Sequence, residues 1–587
     1  MHQPILKNKK FKQRRTKRPS ASSPSASDGL KIICLGGLEE IGRNMVIFEY
    51  ENDIIIVDMG LQFPEEDMPG IDYIIPNTAY LRGKEKNVRG VIITHGHYDH
   101  IGAIPHLMAK IGNPVIYTAK LTAGMIKKRQ EEFTNSPKLN IQIVDPDTDK
   151  INLGRFEIEF FRVNHNIPDS FAAVIRTPLG TVVHTGDFKF DHHPLHDKPA
   201  DLNRIARIGG EKVLALLSDS TDADWPGHQI SEHDVEEELD KIFEKAPGRI
   251  LLATFASLLN RVQQVITLAE KFNRKIIIEG RSMKTNVEIA HQLGYLNIKP
   301  GTVIEKNEFN KFPDNRLLAL CTGAQGEHNA VLMRIANKEH RFIEIRKNDT
   351  VVFSSSVVPG NERTVQILKD NLYRQGAQVV HYKMLDVHAG GHAKQEDLTL
   401  MIRLLNPEYF IPVYGYHYQL ILHAGLAEKV GIPSKNIFVA DNGQIIEFTK
   451  DGKREGEVAG KLTSVKVPTH YVMVDGLGVG DVGNVVLRDR QIMSKDGMFV
   501  IIVPVDSHSK KLTAEPDIIS RGFIYMKEAD VLINEVKKRV VKIVDKHISG
   551  KYTDRGSIRG QIRDEIGQYL FQKTERRPMI LPVVMEV

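Results

Sequence analysis

Hydrophobic positions change their spacing along this chain, and the changes divide it. From Leu30 to Gly60 short apolar runs alternate with turns, at Lys31–Leu35, Met45–Tyr50 and Asp53–Met59, which predicts strands. Gly90–Thr94 reads as another buried strand, and helical spacing begins at Ile101, where Pro105 is tolerated only close to a helix start. Ile151–His196 supplies two more elements, and Leu214–Thr221 closes the first lobe. From about Ser231 the pattern becomes helix–strand alternation. Helices are predicted over Ser231–Lys245, Ser257–Phe272, Lys284–Leu293 and Asn361–Gln375, with strands at Ile250–Ala253, Lys275–Ile278, Leu317–Leu320 and Val351–Ser354. That is the pattern of a parallel α/β module. Lys450–Gly460 is rich in turn residues and reads as a linker. Beyond Val467, amphipathic helices near Asp530–His547 and Ser557–Gln572 precede a last apolar strand from Met579.

At 587 residues the chain is too long for one core and should hold about three domains. No apolar run reaches the ~20 residues of a membrane span. The basic N-terminus lacks the apolar stretch of a secretory signal. Two cysteines, Cys34 and Cys321, make no disulfide framework, so a reducing cytoplasm is expected. Charge changes the picture more. Residues 1–28 carry a balance of +7, which leaves −2 for the rest of a chain whose net charge is +5. Any field that attracts nucleic acid on the folded body must therefore come from local patches. The tail itself is expected to be disordered, either an auxiliary, salt-sensitive nucleic-acid contact or merely solvated.

The candidate chemistry is concentrated in His95-Gly96-His97-Tyr98-Asp99-His100. Residues two apart at a strand end point the same way, so His95 and His97 can hold one ion, while Asp99 and His100 face another. Imidazole and carboxylate donors suit zinc, or else manganese. This stretch resembles the HxHxDH hallmark of the metallo-β-lactamase superfamily, and later motifs resemble its β-CASP nucleases, the ribonuclease J family above all. In the N-terminal lobe the resemblance implies that Asp58 braces the metal loop and that His165, within Val163–Ser170, is the third histidine ligand. It also implies that Asp187, within His184-Thr185-Gly186-Asp187-Phe188-Lys189, bridges two ions. Neighbouring His184, His192, His193 and His196 read as surface residues. Asp219 fits the first β-CASP motif. Gly280–Met283, Thr322–Glu327 and Val358–Glu362 match the β-CASP insert, but Leu258 stands where the family has asparagine after Ser257.

In Asp386-Val387-His388-Ala389-Gly390-Gly391-His392-Ala393, the glycines let backbone amides approach a phosphate and two histidines can donate to it. Further on, Tyr414 occupies the family's position for another metal histidine, and a neutral phenol, with pKa about 10, is a poor ligand. His417 could substitute if the loop bends, or water could fill the gap.

The implied fold is α/β: a metallo-β-lactamase αββα sandwich (29–220 and 386–450) with an inserted β-CASP α/β domain (221–385). A disordered basic tail (1–28), a linker (451–466) and a small α+β C-terminal domain (467–587) complete it. The implied function is a 5′→3′ exonuclease and endonuclease of RNA maturation and decay. It would carry two divalent ions, prefer 5′-monophosphorylated RNA, self-associate as a homodimer or larger, meet other RNA-decay proteins, and lie in the cytoplasm away from membranes. His392, oriented by Asp219, would be the general acid; His388, Ala389, Gly390, Gly391, His392 and Ser257 would bind phosphate. The rivals are a weakly active RNA-binding subunit of an active paralogue, kept open by Tyr414, and a small-molecule metallo-hydrolase.

Overall fold

A computed structural model describes residues 29–65, 67–326, 330–357, 361–450, 457–506, 508–509, 511–523, 529–548 and 555–587. The basic tail and parts of the two motifs at 327 and 358–360 lie outside the described residues.

The first lobe is built from two sheets packed face to face. One has eight strands, with Leu30–Gly36, Met45–Tyr50, Asp53–Val57 and Val88–Ile92 at its centre. The other has six, including Phe156–Arg162, Phe171–Thr177, Gly180–His184, Val213–Asp219 and Tyr409–Val413. Ile32, Phe48 and Val57 from the first sheet meet Phe160, Phe171 and Ile411 from the second in one buried cluster. Helices cover the outer faces, including Lys120–Gln130 on one side and Gln395–Leu405 on the other. This is the expected αββα sandwich. Pro105 sits at the start of the short helix Ile104–Leu107, where its missing N–H costs nothing.

The insertion has a simple topological basis. Strand Val213–Asp219 and strand Tyr409–Val413 lie side by side and parallel, Asp219 opposite Val413. The chain leaves the sandwich after Asp219, builds another module, and returns next to its point of departure. That module is a five-stranded parallel sheet in the order Lys275–Glu279, Leu317–Cys321, Ile250–Ala253, Thr350–Phe353, Gln378–His381. Helix Glu232–Lys245 opens it with a capping box, Ser231 accepting at its start and Asp234 reaching back.

Of the stretch expected as a linker (451–466), 451–456 lie outside the described residues and the rest needs correction. Val458–Lys466 is a strand pairing antiparallel with Gln444–Lys450, at the edge of the eight-stranded sheet. Val472–Asp475 then pairs with Tyr73–Ile75 of the first lobe. The C-terminal domain is a three-stranded sheet, Met498–Val505 between Asp517–Arg521 and Met579–Glu586, packed on helices Ala529–Ile548 and Arg555–Thr574. Among the described residues no helix is long and apolar enough to cross a membrane.

Candidate metal centre and catalytic site

Strand Val88–Ile92 ends just before the histidine motif, and Asp58 holds the motif's start. Asp58 Oδ1 accepts from Thr94 N–H at 2.8 Å, and Oδ2 accepts from His100 Nδ1–H at 2.7 Å. Its backbone sits in the left-handed region at φ 63°, and it is fully buried. The carboxylate thus ties the strand end to the helix that begins at Tyr98.

His95, His97 and His165 converge. His97 Nδ1 is 3.1 Å from both His95 Nε2 and His165 Nε2. His165 Nδ1–H donates to Gly391 O at 2.6 Å, which leaves Nε2 with its lone pair facing the others. Burial holds His95 and His165 well below the usual histidine range, and holds His97 down to about 4. Three neutral imidazoles with lone pairs at such separations repel unless a cation sits among them, so the donors fit a divalent metal. Asp187 Oδ2 lies 3.6 Å from His95 Nε2, 3.7 Å from His165 Nε2 and 3.3 Å from His100 Nε2.

A second cluster is Asp99, His100 and Asp187, and a third is Asp187, Asp219 and His392. Asp187 is common to all three, and its Oδ1 is buried with no protein partner. Against burial, which disfavours charge, Asp187, Asp99 and Asp58 hold a proton on His100. A divalent cation would compete for that same nitrogen. His392 Nδ1–H donates to Asp219 Oδ2 at 2.7 Å. Asp219 Oδ1 meanwhile accepts from Thr221 N–H at 3.0 Å, so it caps its turn as well.

Gly391 is required by proximity. A Cβ there would lie 2.6 Å from His165 Cε1 and 2.8 Å from Asn166 Nδ2. His388 is half-buried, its Nδ1 has no hydrogen-bond partner among the described residues, and Phe255 of the Thr254–Leu258 loop stands with its ring centroid 6.0 Å away. Ser257 lies half-buried on that loop. Burial takes His388 down to about 3.

Val387, which leads into this turn, is held by groups the sequence did not single out. Arg261 and Ser354 both donate to Val387 O at 2.7 Å, and Arg261 pairs with Glu232 at 2.6 Å. Lys189, two residues after Asp187, stands 3.4 Å from Glu232. All four charged or polar partners are buried, and Arg261 with Lys189 outweighs the burial that would protonate Glu232, taking it down to about 2. Arg261→Ala is expected to cost about 3–5 kcal/mol of unfolding free energy, measured by denaturant titration, because Glu232 is left buried with half its pairing.

His184 is corrected. It is fully buried, while His192, His193 and His196 are exposed as read. Its Nδ1 accepts from Gly186 N–H at 3.1 Å, so Nε2 carries the proton and faces the Tyr414 hydroxyl at 3.1 Å. Tyr414 is buried as well, and its hydroxyl donates to Asp58 Oδ2 at 3.3 Å. Burial, with Asp58 and Asp187 nearby, keeps the phenol well above its usual range. His417 is not at the site. Its Nδ1 pairs with Glu39 at 2.7 Å on an exposed surface. His417→Ala is therefore expected to leave metal content and turnover within about twofold of the parent, and a steep loss of either refutes this placement. Asn44, also missed, places its amide Nδ2 2.9 Å from His100 Nε2.

Comparison with known proteins accords with this geometry. Family models match at residues 39–254 (metallo-beta-lactamase superfamily), 247–372 (ribonuclease J, beta-CASP domain) and 485–587 (ribonuclease J C-terminal domain). The chain is 40% identical to Ribonuclease J 1 of Streptococcus pyogenes serotype M3, across 94% of this chain and 97% of that protein. It is 38% identical to Ribonuclease J2 of Bacillus subtilis, across 96% and 99%. A crystal structure of a protein of unknown function from Enterococcus faecalis V583 shares the fold with a TM-score of 0.52 at 17% identity, covering 71% of this chain and all of that one.

Proposed function

Because the chain belongs to the ribonuclease J family of metal-dependent nucleases, we propose that it hydrolyses RNA phosphodiesters with two divalent ions. It works 5′→3′ from a monophosphorylated end and also cuts internally, in RNA maturation and decay. The observation that carries the reading is the meeting of both ligand clusters at Asp187, with the His392–Asp219 pair as their neighbour. His95, His97 and His165 would hold one ion and Asp99 and His100 the other, with Asp187 common to both groups of donors. The donors suit zinc, with manganese as the alternative. When bound, such a pair supplies Lewis-acid polarisation and lowers the pKa of water to about 7.

The remaining work belongs to the chain itself. His392 gives its proton to the leaving 3′-oxygen, and Asp219 holds the ring by Nδ1 so that Nε2 is free for that transfer. The 388–392 turn, with its amides and the unpartnered His388 nitrogen, cradles a phosphate, and Ser257 adds a hydroxyl. The enzyme self-associates as a homodimer or larger and acts in the cytoplasm, where its two buried free cysteines stay reduced. A small-molecule hydrolase would have no use for the parallel module or for this turn.

One observation favours a second reading, a weakly active RNA-binding subunit beside an active paralogue: Tyr414 offers only a protonated phenol, a poor ligand already engaged by Asp58 and His184. The purified chain, assayed alone for metal content and for hydrolysis of a 5′-monophosphorylated RNA, separates the two. Two ions per chain and release of nucleoside monophosphates support the enzyme. RNA binding without cleavage at any added metal concentration supports the subunit.

A further inference from the structure

The second ion is short of protein donors. Among the described residues the first cluster offers three imidazoles with Asp187, the second only Asp99 and His100 with Asp187. Neither residue that could make up the difference does so. The Tyr414 hydroxyl is already used on both sides, receiving from His184 and donating to Asp58. His417 is turned away to Glu39.

Building on the two-metal reading, we infer that the side-chain oxygen of Asn44 completes the second metal site in place of the histidine that Tyr414 replaces. Asn44 is 3% exposed. Its amide Nδ2 stands 2.9 Å from His100 Nε2 and 3.4 Å from Asp99 Oδ2, two of the candidate ligand atoms, and its Oδ1 is buried without a hydrogen-bond partner among the described residues. The amide also lies beside the tyrosine. A Cβ placed on Gly37 would fall 2.5 Å from Asn44 Oδ1 and 3.0 Å from Tyr414 Cδ1, so both groups flank the same point. Amide nitrogen and oxygen exchange places by a half-turn about the last side-chain torsion, with no change in heavy-atom packing. An amide N–H repels a cation and an amide oxygen attracts one. A filled site therefore turns Oδ1 inward.

The backbone is already fixed for this. Asn44 N–H donates to Asp99 O at 3.1 Å, and Asn44 O accepts from Gly60 N–H at 2.9 Å, so the residue is pinned to the loop that carries Asp99. A neutral carbonyl donor beside two carboxylates is a harder set than three imidazoles. The second site thereby favours an oxygen-seeking ion such as Mn²⁺, while the first favours zinc.

The test uses the full chain stripped by a chelator and dialysed against graded Mn²⁺, with ions per chain counted by mass spectrometry and the coupled-pair signal followed by electron paramagnetic resonance. The parent takes up two ions. Asn44→Ala weakens the second roughly 10–100-fold while the first is unchanged, as loss of one supporting oxygen should. Asn44→Asp keeps or tightens it, and Tyr414→His added to Asn44→Ala restores it. Should Ala loosen the fold, Asn44→Leu, close in volume and without a ligand atom, is expected to give the same loss. A second ion held at parent affinity by Asn44→Ala or Asn44→Leu overturns the assignment and makes Asn44 a packing residue. A parent that never takes a second ion overturns the two-metal reading itself, and the inference with it.

Discussion

Asp187→Ala is expected to abolish RNA cleavage and to strip both ions. Among the described residues, Asp187 is the one side chain shared by the three candidate ligand groups. It follows strand Gly180–His184 through a turn in which Gly186 adopts φ 59°, and that turn delivers a nearly buried carboxylate to the centre of the site. One oxygen faces His95, His100 and His165, and the other has no protein partner. A bridging carboxylate neutralises charge on two cations and holds them at a working separation of ~3.5–4 Å. Without it the two groups of donors would share no carboxylate, and the repulsion between two bound cations would go unscreened. Asp187→Asn keeps the shape and removes the charge, so it should fail equally in cleavage. Folding gives a second readout. Ions that bind only the folded chain raise its melting temperature by mass action. Added Mn²⁺ or Zn²⁺ should therefore stabilise the parent and leave both variants where they were without metal. Normal turnover with two ions in Asp187→Ala would remove the basis of the proposed mechanism.

How far the site could be read from sequence depended on distance along the chain and on burial. His95–His100 are contiguous, so spacing alone pointed to a metal. His392 and Asp219 are 173 positions apart and share a hydrogen bond only because the chain returns beside its own point of exit. Resemblance to a family supplied that pair, and periodicity would not have. His184 was misread because strand Gly180–His184 is covered from Thr181 to His184 and leaves no solvent face for a polar residue to occupy. Val458–Lys466 was misread for the opposite reason: an edge strand with no fully buried position offers too little apolar contrast in its sequence and looks like a connection. Tyr414 was visible as a departure from the family pattern. Its partners were not, since Asp58 and His184 lie 356 and 230 positions away. Asn44 gave no signal at all. A single asparagine before an apolar strand reads as a turn residue until the fold sets it against His100.

His392→Ala should slow cleavage by roughly 10²–10⁴-fold, the usual worth of a positioned general acid, with KM and metal content nearly unchanged. The ring is held in position to donate. Its Nδ1 is fixed by Asp219 at 2.7 Å, and Asp187 Oδ2 lies 4.0 Å from the same nitrogen. Burial opposes a charged imidazole here, but Asp219 and then Asp187 outweigh it and push its pKa up to about 10. A raised pKa means the proton is present at neutral pH and is lost only as pH rises through that value. Cleavage should accordingly hold through neutrality and fall on the alkaline side. Cations beside Asp187 would draw the value down, so with metal bound the alkaline fall should begin at a lower pH than Asp219 and Asp187 alone would set. Asp219→Asn removes the nearest negative charge. It should shift that alkaline limb to lower pH and cut the plateau rate, a change that a merely structural aspartate would not produce. In His392→Ala the alkaline limb should disappear while the residual rate persists. Loss of an ion from His392→Ala would instead make this histidine a ligand, and the third group of candidate donors would then have to be read as a metal site.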